Sequence, residues 1–175
     1  IMDGFFLFYK EKGITSNQLV QNIKKSLKFK KVGHLGTLDP MATGLMVIAA
    51  NRATKFSSYF LESDKSYHAT VKLGCSTDTD DALGKIIETS DNLPTEEHTH
   101  KVLNSFVGQS LQLAPFYSAL KHKGKPLYKY AREGDFILKP PREINVFSIK
   151  DFNFDHDECS FLIHCSKGTY IRSIA

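Results

Sequence analysis

No stretch of the 175-residue chain approaches the ~18 consecutive apolar residues that a membrane-spanning helix needs. The opening residues Ile1-Met2-Asp3-Gly4 carry no basic segment and no small-residue cleavage site, so no secretory signal is expected. Cysteine is scarce. Cys75, Cys159 and Cys165 have neither metal-type nor disulfide-type spacing. Their odd number, without a signal, favours a reducing cytoplasm. There is no repeat, no low-complexity tract and no convincing interdomain linker. The length suits one domain, or one domain with a small extension. Metal motifs are also missing. His34, Asp39 and His68 could suggest a metallohydrolase, but no His-Glu-x-x-His pair or tight ligand cluster accompanies them. The acidic run at Asp78, Asp80 and Asp81 invites calcium. An EF-hand would need ligands where Ala82 and Thr89 stand, so a solvated loop is expected.

The charge that is present is modest: 23 basic minus 19 acidic residues gives +4. Its placement says more than its size. Lys24, Lys25, Lys28, Lys30 and Lys31 fall close together. Lys121, Lys123, Lys125, Lys129 and Arg132 form a second cluster, interleaved with His122, Tyr128 and Tyr130. Basic residues among aromatic rings suit a phosphate backbone with unstacked bases nearby. Two solvated helix faces would give the same pattern.

Periodicity sketches the rest. Phe5 to Tyr9 reads as a short buried strand. A helix capped by Ser16 follows, with Leu19, Val20, Ile23 and Leu27 on one face. Leu45 to Ala49 is an apolar strand, and Ala53 to Leu61 a second helix. Tyr67, Ala69, Val71 and Leu73 alternate with polar residues, as in a half-buried strand. Thr95 to Phe106 and Pro126 to Arg132 read as helices, the latter stopped by Gly134. Ile144 to Phe154 and Cys159 to Cys165 are strands joined at Asp155-His156-Asp157. A last helix opens near Thr169. The sum is a mixed sheet with peripheral helices.

The stretch from Gly33 to Gly44, GHLGTLDPMATG, is the most informative. Three glycines and a proline before an apolar strand make a tight loop on a rigid element, a common way to display a reactive side chain. Pro40 biases Asp39 toward an extended backbone. Asp-Pro is equally an ordinary turn dipeptide.

The same stretch, continued through GLMVIAANRATKF, resembles the active-site motif of the TruB-type tRNA pseudouridine synthases. Further resemblances follow in order. They are Ser63-Asp64-Lys65-Ser66-Tyr67, the acidic loop from Thr77 to Gly84, Tyr117-Ser118-Ala119-Leu120-Lys121 continued by Tyr128 to Gly134, and Cys165 to Arg172. They cover nearly the whole chain. The resemblance implies an α/β (α+β) fold, with a mixed, largely antiparallel central sheet and peripheral helices. It implies that residues 1–175 are a catalytic domain cut short at its C-terminus, without the family's small RNA-binding domain.

The implied activity is isomerisation of the T-loop uridine of tRNA, position 55 in conventional tRNA numbering, to pseudouridine. No cofactor and no metal are expected, nor is an obligate protein partner. The partner is the T-arm of tRNA, and the protein is a cytoplasmic monomer. By the same resemblance Asp39 is the catalytic carboxylate, as nucleophile or as base. Arg172 keeps it charged, and the two are expected within direct or one-water reach. Tyr67 stacks on the flipped base and takes part in catalysis. His34 and Tyr170 contact the substrate. Lys121, Lys125 and Lys129 are candidates for the RNA backbone. Lys10 keeps the cation of the family's Lys-Pro pair, but Glu11 replaces the proline, so Lys10 is left out of the site. A module that grips tRNA without chemistry would share the basic clusters, but would not require Asp39, Tyr67 and Arg172 together.

Overall fold

A computed structural model describes residues 2–175. The backbone divides into two compact units, one ending at Ser63 and the other beginning at Asp64.

The first unit runs β1 (Gly4–Lys10), α1 (Ser16–Ser26), β2 (Val32–His34), β3 (Gly44–Ala50), a 3-10 turn (Asn51–Phe56) and α2 (Ser57–Leu61). Its three strands lie in the order β1-β3-β2, all antiparallel. Strict alternation along β1 places Phe6, Phe8 and Lys10 on one face, and leaves Phe5, Leu7 and Tyr9 exposed on the other. The core is made by Val20 and Ile23 of α1 with Phe29, Met46, Ile48 and Ala50, flanked by Phe6, Phe8, Leu19 and Leu38. Leu27 ends α1 and is exposed, so it lies outside the buried stripe expected of it. The helix cap is Thr15 rather than Ser16: the Thr15 hydroxyl accepts from the Gln18 amide, and the Gln18 side chain returns a bond to the Thr15 amide. His34, expected in a loop, ends strand β2. The helix expected over Ala53 to Leu61 is a 3-10 turn followed by the short α2.

The second unit contains β4 (Lys65–Lys72), β5 (Cys75–Thr77), β6 (Ile86–Thr89), α3 (Glu96–Ser105), β7 (Gly108–Gln112), β8 (Lys121–His122), β9 (Lys125–Pro126), α4 (Leu127–Arg132), β10 (Arg142–Asp155) and β11 (Glu158–Cys165). A four-stranded sheet has the order β4-β11-β10-β7, and β5-β6 and β8-β9 are separate hairpins. Every described strand pair is antiparallel. Strands β10 and β11 turn at His156 and Asp157, with Asp155 opposite Glu158. His156 sits at φ 52°, in the left-handed region that tight hairpin turns use. A register break between Lys150 and Asn153 contains Asp151 at φ 53°, the signature of a bulge. Phe161, Ile163 and Cys165 project from β11 into the core with Val71, Leu103, Val146 and Ile174. Burial among them pushes the Cys159 and Cys165 thiols up in pKa. The helix expected from Thr169 is a single 3-10 turn over Ile171–Ser173.

Candidate active site

Asp39 lies on the loop between β2 and β3, and the chain on both sides of it is fixed. On the N-terminal side, the Ser16 hydroxyl donates to the Leu38 carbonyl and accepts from the Leu38 amide, both at 2.9 Å. Ser16 is buried, so this two-way bond is shielded from competing water. On the C-terminal side, the Pro40 carbonyl accepts from the Gly13 amide at 2.8 Å. Gly13 holds φ 92°, a conformation that only glycine adopts without strain. The Ala42 amide closes a turn on the Asp39 carbonyl at 3.0 Å.

Lys10 completes this hold. Its side chain is fully buried, and Nζ donates to Ile14 O at 2.7 Å, Glu11 O at 3.0 Å and Pro40 O at 3.3 Å. Burial lowers its pKa, and the Asp39 carboxylate pulls the other way. Lys10 therefore joins the end of β1 to the Asp39 loop, and was missed as a site residue. The signal for it was available in the alternation. A lysine in phase with two core phenylalanines must be buried, and a buried lysine must find acceptors.

His34 enters the same loop from β2, opposite Ile48 on β3. Its Nδ1 is buried and has no hydrogen-bond partner among the described residues. Beyond the Ala50 end of β3, Lys30, Lys31, Arg52 and Lys55 line an open pocket with Asn51, Thr54 and Asp3. Asn51 organises it: its side-chain oxygen accepts from the Lys30 and Lys31 amides, both at 3.1 Å, and its amide donates to Met2 O at 2.7 Å. Asp3 pairs with Arg52 at 2.6 Å, which holds the Asp3 carboxyl below its usual range. Lys30, Lys31 and Lys55 leave the pocket positively charged.

In the second unit, Arg172 is a half-buried anchor. Its side chain is 11% exposed. Nη1 donates to Thr79 O at 2.9 Å and Nη2 to Tyr117 O at 3.0 Å, with Asp81 Oδ2 3.9 Å from Nη1. Asp81 in turn accepts from the Thr79 hydroxyl at 2.8 Å and the Leu83 amide at 2.9 Å. Asp78 accepts from the Lys85 amide at 2.7 Å. The acidic run is therefore a self-bonded loop in which Asp78 and Asp80 are exposed to solvent, as expected, while Asp81 turns inward toward the arginine. Partial desolvation raises the pKa of the exposed Asp80 against the pull of Arg172. Gly84 is required by space: a Cβ there would lie 2.3 Å from Thr79 Oγ1 and 2.7 Å from Asp78 Oδ1.

Tyr170, just before the Arg172 turn, is clamped at its backbone. Its amide donates to Gln112 Oε1 at 2.8 Å and its carbonyl accepts from Gln112 Nε2 at 3.0 Å. Sequence gave no hint of Gln112, because one side chain serving both backbone groups depends on a strand 58 residues away. Tyr67 stands on β4 opposite Ile163 and packs partly against the sheet core. Of the three lysines proposed for the RNA backbone, Lys121 and Lys129 are exposed. Lys125 is paired with Glu133 and lies 4.5 Å from the centre of the Tyr130 ring. Among the described residues, no group of three or more His, Cys, Asp or Glu side chains could hold a metal ion. No helix among them is long and apolar enough to cross a membrane.

Residues 24–171 match the family described as "TruB family pseudouridylate synthase (N terminal domain)". A tRNA pseudouridine synthase B of Francisella philomiragia is 47% identical over 176 residues, covering 99% of this chain and 58% of the relative. The protein of that name from Blochmanniella floridana is 49% identical over 171 residues, covering 98% of this chain and 67% of the relative. The chain thus spans a little over half the length of the first of these relatives. Among solved structures, a crystal structure of a Cbf5-Nop10-Gar1 complex contains a chain similar at TM-score 0.71 and 28% identity, over 98% of this chain and 42% of that one.

Proposed function

Because the chain belongs to the TruB family of pseudouridylate synthases, we propose that it carries the chemistry of a tRNA isomerase, converting the T-loop uridine at position 55 to pseudouridine with Asp39 as its carboxylate. The observation that carries this reading is the hold on Asp39. With Leu38 and Pro40 tied down on either side, the carboxylate is presented in a fixed position at little cost when substrate arrives.

The reaction breaks the bond from N1 of uracil to C1′, turns the base, joins C5 to C1′ and releases the C5 proton, while the freed N1 takes up a proton, so that the product is an isomer of the substrate. Nothing is oxidised or hydrolysed, so the reading requires no cofactor. Asp39 acts either by bonding covalently as a nucleophile or by removing a ribose proton as a base. Arg172 is its proposed cation. A guanidinium keeps a carboxylate ionised where water is excluded, and orients it through paired donors. The proposed base-flipping step costs a few kcal/mol, which Tyr67 offsets by stacking, its hydroxyl taking the C5 proton. His34 and Tyr170 contact the displaced nucleotide. Lys121, Lys125 and Lys129, with Lys30, Lys31 and Lys55, track the phosphates. A cytoplasmic monomer acting on the T-arm without a protein partner belongs to the same reading.

Tritium release from C5-labelled uridine in a T-arm stem-loop tests it. The protein should release tritium, and Asp39→Asn should lose the activity by about 10⁴-fold while still binding the RNA. RNA binding without release by the parent chain would reduce the protein to a binding module. Binding should also weaken steeply between low and moderate salt, as lysine-phosphate contacts displace counterions.

A further inference from the structure

Residues 135–141 follow α4 and carry no regular secondary structure. They form a strap that returns the chain from α4 to β10. The Asp135 amide donates to Tyr130 O at 2.9 Å. Beyond that point two side chains fasten the strap. The Phe136 ring meets Phe116 edge-on at 5.2 Å. Lys139 Nζ lies 3.3 Å from His122 Nδ1 on the β8–β9 hairpin. Asp135, Phe136 and Leu138 are exposed, so little burial helps these two fastenings.

The Lys139–His122 bond allows one protonation state. A lysine ammonium has three donors and no acceptor, so Nδ1 must carry its lone pair and the imidazole must be the neutral tautomer with its proton on Nε2. The charges around the ring agree. Lys139 faces Nδ1 from the strap, and Lys125 of β9 lies over the adjoining Tyr130 ring, paired with Glu133. Lys121 and Lys123 flank His122 in its own hairpin. Tyr130 of α4 packs edge-on to the imidazole at 5.7 Å, and its hydroxyl donates to the His122 carbonyl at 3.1 Å. The hairpin side of the latch therefore stays in place whatever the ring's charge.

We propose that His122 and Lys139 form a pH-sensitive latch on this strap, closed when the imidazole is neutral and open when it is protonated. Protonation places an N–H and a positive charge directly against the Lys139 ammonium. The hydrogen bond is lost and replaced by repulsion. The strap then keeps its Asp135–Tyr130 bond, its Phe136–Phe116 contact and the half-buried Ile137, and Lys139 is released toward solvent. The latch rests on this geometry and is independent of the proposed RNA chemistry.

Nuclear magnetic resonance of the intact chain tests the latch directly. At about pH 8, long-range nitrogen correlations should show Nδ1 without a proton and Nε2 with one. As the pH falls to about 5.5, the backbone amide signals of residues 135–139 should shift together with the His122 ring signals. Lys139→Met keeps the stem and removes the ammonium, so its strap signals should already sit near their low-pH positions at the higher pH. His122→Phe should give a strap insensitive to pH. Cleavage by chymotrypsin after Phe136, referred to a short peptide substrate at each pH, should rise at least about threefold on acidification in the parent but not in Lys139→Met. A protonated Nδ1 at the higher pH, or strap signals that ignore the titration of His122, would overturn the latch.

Discussion

Each unit of this molecule fastens a loop with one cation, fully buried in the first and half-buried in the second, and the two solve the charge problem differently. Lys10 gives its ammonium to three backbone carbonyls, those of Glu11, Ile14 and Pro40. Arg172 gives its guanidinium to two carbonyls, of Thr79 and Tyr117, with the Asp81 carboxylate at 3.9 Å. Burial depresses the Lys10 pKa against the opposing pull of the Asp39 carboxylate. The difference in geometry matches the task. Three short bonds from a compact ammonium can gather a tight turn. A planar fork can bridge two loops, 77–84 and the segment at Tyr117, that are far apart in sequence.

Removing each anchor sharpens the contrast. Lys10→Met should have the largest effect, because it removes the one ammonium that gathers the Glu11, Ile14 and Pro40 carbonyls, leaving Pro40 O with its Gly13 bond. A loss of about 3 kcal/mol is expected, read as faster amide exchange across β1, β2 and β3 while β10 and β11 keep their protection. Equal loss in both units would mean that Lys10 supports more than its own loop. Gly84→Ala attacks the other anchor through space. The added methyl must displace Thr79 or Asp78, costing about 1–3 kcal/mol. Turnover should drop with it, because Thr79 O is one of the Arg172 acceptors. Unchanged activity would show that the acidic loop is not needed to place the arginine.

Asp81→Asn should be milder, at roughly 1 kcal/mol in a denaturant melt. The amide oxygen still accepts from Thr79 and Leu83, and the lost ion pair was long. Smallest of all is Asp80→Asn, and its sign is opposite. The folded protein holds the Asp80 carboxyl at a raised pKa, so its ionised form is penalised. That penalty is present at neutral pH and disappears once the pH falls below the ordinary carboxylate value of about 4. Asparagine also tolerates the left-handed backbone at this position, φ 57°. The variant should melt slightly higher than the parent at pH 7, and no higher in acid. A lower melting temperature at pH 7 would show that Arg172 outweighs the desolvation.

Much of this arrangement was legible in the residues. The apolar run of β3, the hairpin at His156 and the apolar stripe of α1 follow from local pattern, whereas β1, expected to be buried, exposes Phe5, Leu7 and Tyr9 on one face. Where reading failed, a distant partner had decided. Thr15 and Ser16 are both able to cap a helix, and only the Leu38 backbone 22 residues on gives Ser16 its other task. Strands β5 and β6 are short, and β6 is exposed throughout, so no burial periodicity marks them. In the site, the loop motif singled out Asp39 and the family pattern Arg172, but Asp81 and Gln112 act through folded neighbours that no motif displays. Lys10 was legible by its phase in β1 and was set aside because of Glu11. The backbone carbonyl of Glu11 turns out to be one of the three that hold it, and a carbonyl is indifferent to which side chain the residue carries.

Seen from its oxygens, the nest around Lys10 has the form of a binding site for a monovalent ion. Carbonyls from three residues converge on one positive centre at 2.7, 3.0 and 3.3 Å. The difference is that this ion is covalently tethered to β1 and cannot be lost by dilution. A loop knitted by potassium would loosen when the salt is exchanged. This one carries its counter-charge in the chain, so the geometry around Asp39 should be the same in sodium, potassium or caesium buffer. Any dependence on the identity of the salt would then arise where the RNA meets solvent, not where the carboxylate is held.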